Sequence, residues 1–254
     1  MLTAAFADIS IVQLLVIAVA ALAASLVGGV AGYGTGALMP LVLVPIVGAE
    51  PVVPIIALSS LLTNGGRATA FAQFLDWRRA VIVVVGALPP SMLTAYGYTK
   101  LSSAGAMLVI GAMLICSVPL RRLLLRQASG LGDGGLFAAA VGYGALVGGT
   151  AGAGIILLSL LMAAGLTAAA VVATDAAISI AISLAKVAIF GISGVVNAQV
   201  VAVALLIGAV AFPGAFLAKA LVHRLPIHVH TALLDGVVLL GGAVMVFGAL
   251  RQWN

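Results

Sequence analysis

Two long stretches of the chain carry no charge at all. Asp8 and Glu50 enclose 41 uncharged residues, and Asp133 and Asp175 enclose another 41. A water-facing surface cannot be built from such segments, and a transmembrane helix needs about 20 apolar residues in a row. Only 7% of the 254 residues are charged, against roughly a quarter in a soluble domain. A soluble enzyme, a nucleic-acid binder and a disordered chain are excluded on that ground. The expected fold is an all-α polytopic membrane protein forming a single membrane domain.

Ten apolar elements can be delimited, at about 10–28, 36–48, 51–75, 80–97 and 103–120, then 134–149, 153–165, 168–191, 197–217 and 232–250. The two halves resemble each other. Leu26-Val-Gly-Gly-Val-Ala-Gly32 recurs as Leu146-Val-Gly-Gly-Thr-Ala-Gly152, and Ser60, Asn64 and Arg67 match Ser179, Ser183 and Lys186. Asp76 before one element matches Asn197 before another, and Pro90 and Pro213 sit alike. This ordered series points to an internal duplication, with repeats at about 8–126 and 130–254. Five elements per repeat, an odd number, makes the two copies inverted. The cations test the orientation. With the Arg78–Arg79 turn in the cytoplasm, the inside receives Arg78, Arg79, Arg121, Arg122, Arg126, Lys219 and Arg224, and the outside only Lys100 and Arg251. Both termini are then expected outside.

The elements at 36–48 and 153–165 are too short to cross a ~30 Å hydrocarbon core at ~1.5 Å per residue. Each follows a glycine-rich break, Gly28 to Gly36 or Gly148 to Gly154. The expected architecture is therefore roughly eight transmembrane helices plus two short Gly-broken elements folded as re-entrant hairpins. The glycines have two readings. Gly28, Gly32 and Gly36 recur every four residues, a helix-packing spacing. Alternatively Gly32, Gly34, Gly152 and Gly154 expose backbone N–H groups and positive helix ends to an anion. A dinucleotide fingerprint fails, because no strand precedes either segment.

The third element of each half carries the polar groups. Asp175, Ser179, Ser183 and Lys186 are spaced to share one helical face, and Ser60, Asn64 and Arg67 repeat the last part of that stripe with Thr63 beside it. Arg67 and Lys186 occupy matching positions in inverted copies. They either snorkel to the interface or approach one central site, where a small anion is the missing charge. Asp175 is either the group that couples transport to H⁺ or Na⁺ or a carboxylate satisfied by a helix N-terminus or a nearby hydroxyl. Asp235 is expected at the interface, Glu50 in a loop or first turn, Trp77 and Trp253 in the aromatic belts, and Cys116 as a small core residue. His223, His228 and His230 are placed in a basic cytoplasmic loop, without the spacing of a metal site. No cofactor, metal site or catalytic residue is expected.

These motifs carry a resemblance. The duplicated Val-Gly-Gly-x-Ala-Gly-x-Gly segment is one marker. Others are the Ser/Asn/Arg element ending in Phe74-Leu75-Asp76-Trp77-Arg78, the Gly86-Ala87-Leu88-Pro89 start of the next, and the Lys100-Leu101 and Arg224-Leu225 ends. Over about residues 10–250 the chain resembles the sulfite exporter TauE/SafE family, the TSUP transporters. The resemblance implies movement of small sulfur-containing anions such as sulfite, thiosulfate or organosulfonates across the bacterial plasma (inner) membrane. One departure is that Ile156 stands where Gly36 would have a partner glycine.

The main expectation is thus an exporter or permease working by alternating access around a midplane site lined by both glycine tips, Asn64, Arg67, Ser179, Ser183 and Lys186. Its partners are a small anion and the lipid bilayer, with room for a homo-oligomer and none for nucleic acid. The rivals are a transporter of another anion or of a cation, and a non-transporting membrane scaffold. An intramembrane enzyme lacks a nucleophile–base pair, since no apolar element contains His and Cys116 has no partner.

Overall fold

The computed structural model describes residue 6 and residues 9–31, 34–126, 130–221 and 227–253; within these, the side chains of 27–31, 34, 125–126, 168, 215–221, 227–234 and 253 are not described. Among the described residues there are ten α-helices and no strand. They are α1 (Ile11–Ala31), α2 (Gly34–Val47), α3 (Val52–Phe71), α4 (Trp77–Tyr98), α5 (Ser103–Arg126), α6 (Asp133–Val147), α7 (Gly154–Ala163), α8 (Ala168–Ile192), α9 (Ala198–Leu221) and α10 (Ile227–Trp253), with a 3-10 turn at Ala72–Phe74. Among the described residues, four stretches are long and apolar enough to cross a membrane: Trp77–Tyr98, Ser103–Leu124, Ala169–Ile192 and Asp235–Gln252. α7 has only ten residues, about 15 Å of helix.

The outer surface is apolar in helical register. Leu240, Val244 and Phe247 on α10, Val81 and Val85 on α4, and Ile11, Leu15 and Val19 on α1 all stand exposed. Contiguous apolar faces of this extent suit lipid, not water. Cys116 is exposed as well, so the expectation of a core position is wrong. On an apolar helix a thiol is as acceptable to lipid as to protein, and composition cannot tell the two sides apart. The inside of the molecule holds α7, of which Ile155 to Leu161 and Ala163 are buried. A helix too short to span is tolerated at depth because protein surrounds it.

Helix pairing follows small residues. α4 packs on α6, α9 on α1 and on α3, α4 also on α8, α3 on α8, and α5 on α10. Exchanging α1–α5 for α6–α10 turns the α4–α6 pair into α9–α1 and the α9–α3 pair into α4–α8, and leaves the other two unchanged. At the α5–α10 crossing two glycines meet: a Cβ on Gly111 would lie 2.8 Å from Gly242 O, and one on Gly242 2.9 Å from Gly111 O. Without a hydrophobic driving force inside lipid, such close backbone approach is what holds helices together.

Polar groups tie the helix ends. Asp235 is buried against Arg121 (3.3 Å) and Arg122 (3.4 Å), joining α10 to α5. It opens the apolar stretch Asp235–Gln252. Arg121 and Arg122 belong to the last turns of α5 and not to a loop, so they reach it. His228 and His230 lie in the first turns of α10, again not in a loop, while His223 is outside the described residues. Glu50 stands exposed in the turn before α3, and Trp77, exposed, opens α4.

The matched pair Asp76 and Asn197 do the same work. Asp76 Oδ1 accepts from Arg79 N (3.0 Å), and Asn197 Oδ1 accepts from Val200 N (2.9 Å), so each caps the helix it precedes. Asp76 N also donates to Thr174 Oγ1 (3.1 Å), fixing the α3–α4 turn to α8 one residue from Asp175. Its carboxyl is held below the ordinary carboxylate value, first by the Arg79 backbone N–H and then by the Arg79 guanidinium. Asp76→Ala is expected to cost about 1 kcal/mol, the usual worth of a cap. A lowered native value contributes stability above the ordinary carboxylate range, which is lost as pH falls through the native value. Asp76→Asn keeps the cap and should flatten that acid limb in melting curves recorded against pH. An unchanged acid limb would contradict the assignment.

Candidate functional site

Inside the bundle lies a cavity of about 110 Å³. One water needs only about 10–15 Å³ of such space, so there is room for several waters or a small anion. Of the residues picked from the sequence, Asn64, Arg67, Gly152, Gly154, Asp175, Ser179, Ser183 and Lys186 all line it. Gly34 begins α2, and its neighbours Thr35 and Gly36 line the cavity. Gly32 lies outside the described residues. The first turns of α2 and α7, at Thr35–Gly36 and Ala153–Gly154, both border the cavity, so two positive helix ends face it.

The two glycine segments touch. A Cβ on Gly36 would lie 3.6 Å from Gly152 N, and Gly152 has φ +89°, a left-handed conformation natural to glycine. This turn lets the chain leave α6 at Val147 and start α7 at Gly154 within six residues. Ile156, at the position matching Gly36, is buried inside α7 instead of lining the break.

Breaking α6 strands its last carbonyls, which then lack i+4 donors. The chain answers with side chains. Thr150 Oγ1 donates to Leu146 O. Lys186 Nζ, on α8, donates to Val147 O (2.7 Å) and Thr150 O (3.3 Å). Lys186 is 5% exposed, so it does not snorkel; it is a cation set at the negative end of α6. Two of its three N–H groups are used, and its position on the cavity wall leaves one for a ligand.

Arg67 is arranged differently. Its Nη1 donates to Asn64 Oδ1 (3.0 Å) and to Asp175 Oδ2 (3.0 Å). The pair joins α3 of one half to α8 of the other. Asp175, 2% exposed, is thus paired through Oδ2 with a cation, where a helix N-terminus or a hydroxyl had been the structural expectation. Arg67 therefore has an acidic counter-ion, while among the described residues Lys186 is paired with backbone carbonyls only. Arg67 Nε and Nη2 are buried and have no partner among the described residues, nor does Asp175 Oδ1. Nε and Nη2 form the side-on edge of the guanidinium, the fork that grips an oxyanion with two parallel hydrogen bonds. With Arg67 and Lys186 counted as cations and Asp175 as a carboxylate, the formal charge of the site is +1.

Tyr143 and Thr150 on the α6 side, Thr35 on α2 and Ser25 on α1 also line the cavity and were not picked from the sequence. Tyr143 had a signal, a polar-tipped aromatic in an apolar helix just before a glycine break. Ser25 had none.

No curated protein and no solved structure matches the chain. A family model does, over residues 17–245, nearly the whole length, and its description is sulfite exporter TauE/SafE. That span runs from within α1 to within α10 and takes in every described residue of the cavity. The chain belongs to the sulfite exporter TauE/SafE family, a family of membrane transporters.

Proposed function

We propose that the protein carries small sulfur oxyanions, sulfite and thiosulfate before the bulkier organosulfonates, across the bacterial plasma membrane by alternating access around this cavity. The observation that carries the reading is the partnerless Nε/Nη2 edge of Arg67, buried in a site of net charge +1. A buried donor without a partner costs free energy. An oxyanion removes that cost and neutralises the site. The first turns of α2 and α7 supply further N–H groups at the same place, and the cavity volume favours compact anions.

The same reading takes the chain as two inverted repeats, with re-entrant hairpins α1–α2 and α6–α7 meeting at the midplane. Helix pairing that survives exchange of the halves supports it, as do the paired caps Asp76 and Asn197. Transport would rock one bundle against the other around the hairpin tips. The cation bias puts both termini outside. An interior-negative potential contributes about 2.3 kcal/mol per charge per 100 mV, which favours anion export without a coupling ion.

The test is flux of radiolabelled sulfite or thiosulfate in proteoliposomes. Arg67→Ala and Lys186→Ala should each depress it at least tenfold, about 1.4 kcal/mol of lost site affinity. Unchanged flux in both variants would remove the site.

A further inference from the structure

The polar groups left over at the cavity are of two opposite kinds. Arg67 Nε and Nη2 are donors without acceptors, and Asp175 Oδ1, on the residue paired to that same guanidinium, is an acceptor without a donor. An anion with oxygens only satisfies the first and sets a negative atom against the second. A hydrogen-bearing anion satisfies both. We infer that Arg67 and Asp175 select an oxyanion carrying one hydrogen, whose O–H donates to Asp175 Oδ1 while its other oxygens accept from Arg67 Nε and Nη2. The inference rests on the anion reading above and narrows it to the protonation state taken, which favours sulfite, carrying a hydrogen near neutral pH, over thiosulfate, a dianion there.

Charge agrees with geometry. The site is +1, so a singly charged, hydrogen-bearing anion leaves it neutral, and a dianion leaves it at −1. When the dianion prevails in solution, one proton from water must enter with it. The count is the same whether that proton resides on the anion or on Asp175. The groups packed on Asp175 from outside the cavity are already engaged. Among the described residues, the titratable side chains sharing the cavity with Asp175 are Arg67 on α3, Tyr143 on α6 and Lys186 on α8 itself. α8 also packs on α4, α7 and the Ala72–Phe74 turn. The last two contain no titratable residue. On α4, Arg79 is paired with Asp76, Arg78 with Asp133, Tyr98 donates to Ala49 O (2.7 Å), and Tyr96 lies under Lys100.

The full-length protein in lipid nanodiscs is titrated calorimetrically with sulfite, at a pH where the dianion predominates, in two buffers of different ionisation enthalpy. About one proton should be taken up per anion bound, and Kd should rise about tenfold per pH unit above the hydrogensulfite–sulfite transition. Sulfate, a dianion throughout, should bind at least about tenfold more weakly than sulfite at the acid end, a gap of about one pH unit in linkage. Asp175→Asn presents an N–H in place of the acceptor, so proton uptake should vanish and the preference for sulfite over sulfate should narrow. If that variant does not fold, the wild-type proton count and the sulfate comparison decide alone. Sulfite binding without proton uptake overturns this inference and leaves the anion reading standing, whereas no anion binding overturns both. A folded Asp175→Asn that still takes up one proton overturns the role of Asp175.

Discussion

Arg67→Ala should be the most damaging single substitution in the cavity, and its two effects should separate. The first is on stability. Asp175 is buried and its ion pair partner is Arg67. Removing one member of a buried pair leaves an uncompensated charge, at a cost of about 3–5 kcal/mol. The second is on the ligand. The variant loses two charge-assisted hydrogen bonds to the anion, each about 1.5–3 kcal/mol, so affinity should fall by roughly two orders of magnitude or more. The double variant Arg67→Ala/Asp175→Ala removes the orphan charge and should recover most of the melting temperature. It should recover none of the sulfite binding, because the fork is still absent. Arg67→Lys keeps the charge but not the planar edge, so it should fold better than it binds. The assignment fails if the double variant binds sulfite like the wild type.

How much of this was visible in the sequence depends on what kind of information each feature needs. Helix positions were legible, because glycine, proline and charged residues punctuate runs that are otherwise apolar. α3, α4 and α8 begin or end within a few residues of the expected bounds. The polar stripes of α3 and α8 were legible for the same reason. In an apolar helix, Asn64, Arg67, Asp175 and Lys186 must face protein, and the cavity holds all four. Partnership was not legible. Arg67 and Asp175 lie in different halves of the chain, and the link between them is made by the α3–α8 crossing, which local spacing does not encode. Nor was the rotational phase of the apolar helices, since a helix that is hydrophobic all round gives no clue to which face meets lipid. Cys116 was misplaced for that reason, and Ser25 was missed. Nor were the partners of Asp235 legible, since they sit on α5, beyond the apparent end of the apolar element.

The second large effect lies outside the cavity, at the α4–α6 crossing, where Gly142 and Gly144 make opposite predictions. A Cβ on Gly142 meets nothing within 4 Å. One on Gly144 would sit 2.6 Å from Ala87 Cα and 2.8 Å from Ala87 C, backbone atoms that cannot turn aside. Gly142→Ala should therefore be neutral or stabilising by up to about 1 kcal/mol, the difference in helix propensity. Gly144→Ala should cost at least the 1–3 kcal/mol typical of overpacking, and Gly144→Leu should yield no monodisperse protein. The damage should also reach the cavity. α6 carries Tyr143, which lines it, and Val147, whose carbonyl accepts from Lys186. Pushing α6 away from α4 shifts that acceptor relative to α8, so whatever Gly144→Ala protein folds should bind sulfite less well than Gly142→Ala protein. Size-exclusion profiles, melting curves and sulfite titrations of the three variants check this. Equal stability of Gly142→Ala and Gly144→Ala would mean that α4 and α6 do not cross at this residue. Equal stability with unequal binding would mean instead that the crossing is soft and that Lys186 alone holds the broken end of α6 in place.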